Sequence, residues 1–105
     1  MYVRTMIGQI KPTQRDKMNE VIRIYHDSIV PTAQQQKGFK GAYLLTDSHT
    51  GKAVSITLWD TEDDMMESET NEYYQEQIAK IGWALTGPGL VDHYQLSVQT
   101  GLPGD

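Results

Sequence analysis

The order in which two periodicities alternate constrains this chain more than any single residue does. Segments with the two-residue repeat of a strand and the 3.6-residue repeat of a helix follow one another as β-α-β, hairpin, β-α-β within 105 residues. Residues 2–10 are rich in β-formers and stop at Lys11-Pro12, because proline cannot donate to a sheet ladder. Met18, Val21, Ile22, Tyr25 and Ile29 then recur at helical spacing behind a Thr13-x-x-Asp16 capping box. Pro31 is expected to kink or divide that helix, with Gln34 to Lys37 continuing it and Gly38 closing it. Residues 39–46 and 53–59 read as strands joined by the turn-forming run 47–52, an antiparallel hairpin. A second box, Thr61-x-x-Asp64, opens a short helix through Met65 and Met66. Another helix starts near Thr70, carries Tyr74, Ile78 and Ile81 inward and ends at Gly82. Residues 91–98 form the last strand, with Tyr94, Leu96 and Val98 on one face.

This order is the α+β, ferredoxin-like split βαβ arrangement, with an antiparallel four-stranded sheet. Residues 1–98 make one domain, and 99–105, with two glycines and a proline, a flexible tail. Both crossovers must be right-handed, so both helices land on one face of the sheet and leave the other bare. Yet the strands carry large apolar residues on both parities. In the third strand Val54, Ile56 and Leu58 are expected to face the core, opposite the smaller set Ala53, Ser55, Thr57 and Trp59. A lone chain of this size buries only about two-thirds of its unfolded surface. A naked apolar sheet face exceeds what a soluble monomer usually exposes, so a second copy packed sheet to sheet is expected. The competing expectation is a monomer whose outer parity is polar enough to stay wet.

Composition removes several function classes. Nine Lys and Arg against fourteen Asp and Glu give a net charge of −5 with no basic run, which argues against nucleic acid. With no cysteine there is no disulfide, thiolate nucleophile or cysteine-bound metal. No apolar run approaches the ~20 residues of a membrane span and no leader peptide is apparent, so a cytoplasmic protein with no membrane partner is expected. His26, His49 and His93 form no His-x-x-x-His or Glu-x-x-His pair, so no metal is expected. The acidic run from Asp60 to Glu69 reads as favourable charge at a helix N-terminus, at roughly 0.3–1 kcal/mol each, and as solvated surface. Nucleophile elbows and glycine-rich phosphate loops are absent.

Phe39-Lys-Gly-Ala-Tyr-Leu-Leu, the Asp47…Gly51-Lys hairpin, Ser55-Ile-Thr-Leu-Trp-Asp-Thr-Glu-Asp-Asp64 and the preceding Pro31…Gln-Lys-Gly38 together resemble the antibiotic biosynthesis monooxygenase (ABM) family. The resemblance implies a dimeric α+β barrel, in which two sheets close together and a pocket lies between each sheet and its helices. It further implies oxidation of phenols or quinols by O₂ without metal or flavin, hence no cofactor. Some relatives degrade haem, using an Asn in the first strand, a Trp in the helix after strand three and a later His. Strand one here has no Asn, the helix reads Met65-Met-Glu-Ser68, and 74–78 contains no His, so that activity is not carried over. For the phenol-oxidising pocket, Asn71, Trp59 and Tyr73 or Tyr74 are the approximate matches.

The residues themselves add candidates. Trp59 ends its strand where a helix begins, either as a wedge sealing that corner or as a wall for a flat aromatic. Six tyrosines against one phenylalanine suit a pocket for a polar aromatic ligand, and Tyr25 belongs to that set. His26 lies beside the apolar stripe of the first helix, solvated or at the pocket edge. His93 is the histidine best placed by strand parity to move a proton near neutral pH. The expected site is therefore His93 and Tyr74 as catalytic groups, with Trp59, Asn71, Tyr73, Tyr25 and His26 binding a small phenol- or quinol-like substrate. The alternative is a non-catalytic binding or regulatory dimer that uses the same cavity.

Overall fold

The computed structural model describes residues 1–70 and 72–101. The strands are β1 (Tyr2–Gln9), β2 (Phe39–Thr46), β3 (Lys52–Trp59) and β4 (Leu90–Gln95). They form one sheet in the order β2-β3-β1-β4, with every neighbouring pair antiparallel. The helices are α1 (Met18–Ile24), α2 (Val30–Ala33), α3 (Glu62–Thr70) and α4 (Glu72–Ile81). This is the ferredoxin-like topology expected of the element order. No helix among the described residues is long and apolar enough to cross a membrane.

The first crossover is less regular than its periodicity suggests. Pro12 occupies the first turn, so residues Pro12–Lys17 wind as a 3-10 helix capped at Lys11 with no side-chain hydrogen bond, and the Thr13-x-x-Asp16 box does not form. Between α1 and α2, Tyr25–Ile29 forms a π turn in which Val30 N–H reaches back five residues to the Tyr25 carbonyl. In a regular helix the ring of Pro31 would press on the carbonyl four residues earlier, and the wider turn relieves that crowding. The helix ends at Ala33 rather than running through Lys37. Gly38 follows at φ +81°, where an added Cβ would sit 2.2 Å from Asp64 Oδ2. The second box does cap its helix, since Asp64 N–H donates to Thr61 Oγ1 at 3.0 Å.

Register explains where the last strand stops. β4 runs antiparallel to β1 until Gln95 pairs with Tyr2, where β1 itself runs out. Val98 therefore has no strand beside it and is exposed, contrary to its expected place within the strand.

The principal correction concerns which face of the sheet the helices cover. Arg4, Gly8, Ala53 and Trp59 are buried, and together with Met6, Ala42, Leu44, Ser55 and Thr57 they form the face beneath the helices. Val54, Ile56 and Leu58 lie on the opposite, open face, paired across strands with Ile7, Thr5 and Val3 and with Leu45, Tyr43 and Gly41. The expectation that the bulkier parity of β3 marks the core is thus reversed. Small side chains face the helices because that space is not filled: they leave a hollow, while the bulky set coats the outside.

At one end of the hollow, Ile10, Met18, Val21, Ile81, Ala84 and Leu85 pack as the main buried cluster. At the other end Trp59, fully buried, meets the Phe39 ring edge-on at 5.6 Å. Met65 completes that end, while its neighbour Met66 is exposed.

Candidate functional site

The hollow between sheet and helices has a volume of about 70 Å³ and follows β1 from Arg4 to Ile10. Its walls are mainly apolar: Met6, Ala42, Leu44 and Ala53 from the sheet, and Val21, Ile29, Val30, Ala33 and Ile78 from the helices. Polar groups enter from Arg4, Ser55, Thr57, Tyr25, Tyr73, Tyr74 and Gln77. An apolar chamber with a few convergent polar groups is the usual form of a small-molecule site.

Arg4 dominates the electrostatics. It points under α3 because its parity faces the helices, and it is only 6% exposed. Its Nη1 donates to Ser68 Oγ at 2.7 Å, to Glu69 Oε2 at 3.1 Å and to the Met65 carbonyl at 3.3 Å. Ser68 in turn donates to the same carbonyl at 2.6 Å. The guanidinium carbon lies 5.2 Å from the Trp59 ring centre and 4.9 Å from that of Tyr74, within cation–π range of both. A buried cation is tolerated only when paired and hydrogen-bonded, and α3 supplies both conditions.

Glu69 has a second partner. His93 stands directly opposite Arg4 in the β1–β4 register, and its Nε2 lies 2.7 Å from the same Glu69 Oε2. Arg4, Glu69 and His93 are therefore one connected group, with His93 on its solvent side.

The three phenols are held neutral. Burial pushes the Tyr25 hydroxyl above its usual range, opposed by its hydrogen bond to Ser55 and by the charge of Arg4. Burial likewise raises Tyr73 and Tyr74, again with Arg4 opposing. Tyr25 Oη lies 2.8 Å from Ser55 Oγ and donates to the Tyr43 carbonyl at 3.4 Å. Tyr74 Oη is buried and has no hydrogen-bond partner among the described residues. Such a group is costly unless something else satisfies it.

The structure thus brings Tyr25, Tyr73 and Tyr74 to one cavity. Trp59 is adjacent but stands behind Arg4, with its indole N–H donating to Thr57 Oγ1 at 2.9 Å. His93 reaches the cavity only through Glu69 and Arg4. His26 does not join them: its side chain is 83% exposed and bonds Asp27 at 2.8 Å. Tyr25 follows the buried Val21 by one helical turn and so faces inward, and the next residue, about 100° further round, lies outside. Asn71 lies outside the described residues. Among the described residues no three His, Asp or Glu side chains gather as a metal site would require.

Arg4, Ser68, Glu69 and Gln77 were not singled out by sequence reasoning. Arg4 did carry a signal, being the one charged residue within 2–10. Glu69 carried none, because it is indistinguishable in sequence from its solvated acidic neighbours.

Comparison with known proteins decides the lineage. The family model for antibiotic biosynthesis monooxygenases matches residues 4–80, from Arg4 through most of α4. The chain belongs to the ABM family. A protein from Bordetella bronchiseptica, described as a candidate member of this family, superimposes with a TM-score of 0.73 at 16% identity, covering 92% of this chain and 97% of that one. A similarly described Deinococcus radiodurans protein gives 0.72 at 14% identity, with 99% and 100% covered. Rv0793 from Mycobacterium tuberculosis gives 0.68 at 17% identity, with 95% and 98% covered. At such identities the likeness is one of fold. A search of curated proteins gives no match.

Proposed function

We propose that this ABM-family chain is a cofactor-independent monooxygenase acting on a small phenol- or quinol-like aromatic bound in the hollow beneath the helices. The observation that carries this reading is the polar end of the cavity, where the buried Arg4 guanidinium and the unpartnered Tyr74 hydroxyl meet a mainly apolar chamber. The ring would lie against the aliphatic walls with its oxygen toward Arg4 and Tyr74. Tyr74, a neutral phenol, donates to that oxygen. As the proton leaves through a bridging water to Glu69 and on toward His93, Glu69 loses its charge, and Arg4 is then free to stabilise the negative charge that grows on the oxygen. Tyr25 and Tyr73 bound the ring, and Trp59 holds Arg4 in place.

The resulting phenolate is electron-rich enough to pass an electron to O₂. Conversion of a phenol to its quinone balances without a reductant, since phenol and O₂ give quinone and water. One oxygen atom enters the ring and the other leaves as water. The protein has only to bind, deprotonate and keep water out. We further propose that the molecule works as a homodimer joined through the open sheet face, where Ile7, Tyr43, Leu45, Leu90 and Tyr94 are exposed together. The lack of cysteine suits the reducing cytoplasm as its place of action.

A second reading is a binding or regulatory dimer without turnover. It is favoured by the observation that Arg4 is the single charged residue among the described lining, so no acid–base pair converges there. Oxygen-electrode measurements with a panel of phenols and quinols separate the two. Uptake above a protein-free control, with quinone detected by mass spectrometry, is expected. Thermal stabilisation by these compounds without uptake would establish the second reading instead.

A further inference from the structure

The cavity has a cation at its end, yet that cation is not free. Glu69 Oε2 sits 3.1 Å from Arg4 Nη1, the Glu69 side chain is less than one-fifth exposed, and it lies outside the cavity wall while Arg4 lies in it. His93, across the strand pair, clamps the same oxygen from the far side at 2.7 Å. A ligand entering the chamber therefore meets Arg4 backed by an opposite charge. The other polar groups it meets, Tyr25, Tyr73, Tyr74, Ser55, Thr57 and Gln77, are all uncharged.

We propose that Glu69, held by His93, is a specificity-determining and positioning residue that makes the pocket select uncharged hydroxyarenes and reject aromatic carboxylates of the same size. The inference rests on the aromatic-binding reading above and adds a charge class to it. An aryl carboxylate is already ionised at neutral pH and must surrender its hydration on entry, and a bare Arg4 would repay that loss. With Glu69 behind Arg4 the repayment is largely cancelled, because the carboxylate is attracted by one group and repelled by the other at short range in a poorly screened site. An uncharged phenol suffers no such loss. Its hydroxyl both donates and accepts, which matches the unpartnered Tyr74 Oη. Specificity arises here by exclusion as much as by attraction.

The test uses three single-ring probes on the full chain near pH 7, followed by NMR titration: phenol, benzamide and benzoate. Benzamide and benzoate share a shape and differ in charge. In the wild-type protein phenol and benzamide should bind and benzoate should bind at least about tenfold more weakly than benzamide. In Glu69→Gln, which keeps the side-chain shape and an acceptor for Arg4, benzoate affinity should rise about tenfold while benzamide changes by less than about threefold. Glu69→Asp, which keeps the charge, should retain the wild-type preference, an outcome that a purely packing role for Glu69 would not produce. Should Glu69→Gln fail to fold, the wild-type benzamide-to-benzoate ratio still decides, and a ratio near one overturns the proposal. Phenol binding with an unchanged benzoate affinity in folded Glu69→Gln also overturns it. Failure of all three probes to bind would overturn the aromatic-site reading itself.

Discussion

Substituting Ala42 with leucine asks whether the hollow is a chamber kept open at a cost to stability. Ala42 lines the cavity from β2, beside Thr57 and one position further from Arg4 in the same cross-strand row. A cavity of 70 Å³, at about 24 cal/mol per Å³, withholds roughly 1.7 kcal/mol of packing energy. Three added methylene equivalents would recover about 2.4 kcal/mol of transfer energy, less about 0.5–1 kcal/mol of rotamer freedom. The two routes agree on a net gain near 1.5 kcal/mol, a rise in Tm of roughly 6–12 °C for a domain this small. Calorimetry gives the Tm, and titration with phenol should show binding lost in the same variant. In a chamber already filled, leucine would overpack and destabilise by about 1–3 kcal/mol. A lower Tm, or unimpaired phenol binding in a stabilised variant, would refute the reasoning.

Other outcomes follow from the same geometry. Ile56→Lys places a charge at the centre of the open face, so the proposed dimer should dissociate to a folded monomer in light scattering at micromolar concentration; an unchanged mass would dismiss that interface. Gly38→Ala should lose about 2–4 kcal/mol in urea denaturation, from left-handed backbone strain plus displacement of Asp64, and a loss below about 1 kcal/mol would show that the turn adapts. Because burial raises the folded-state pKa of Tyr25 above its ordinary 10.0, its stabilising contribution is complete below that pH and is lost as pH climbs through the folded value. Tyr25→Phe should therefore be weaker by about 1 kcal/mol at neutral pH, through the lost Ser55 bond, and fall less than wild type by about pH 11.

Element order could be read from the chain because it rests on local periodicity, and sheet topology followed from that order. Of the cavity tyrosines, Tyr25 and Tyr74 lay on periodic stripes, while Tyr73 came from the family resemblance. The facing of β3 could not. A rule that places large aliphatics inside presumes a filled interior, and Ala53, Ser55 and Thr57 line a space that is left partly empty. Arg4 escaped notice for a related reason, since its worth depends on Ser68 and Glu69 more than sixty positions away. His26 could be read only as solvated or at the pocket edge, since it sits about 100° round the helix from Tyr25, and the structure leaves it in solvent.

That turn has a lasting consequence for the roof of the chamber. A π turn holds one residue more than an α turn, and each residue turns a helix by about 100°. Removing a single residue from 26–29 would let the helix wind regularly and would set Val30 and Ala33 four and seven positions after Tyr25 instead of five and eight, still facing the cavity. The wider turn thus takes up one residue while the roof keeps its facing and the sheet beneath is untouched. Descendants of this chain could gain or lose a residue there without rebuilding the chamber.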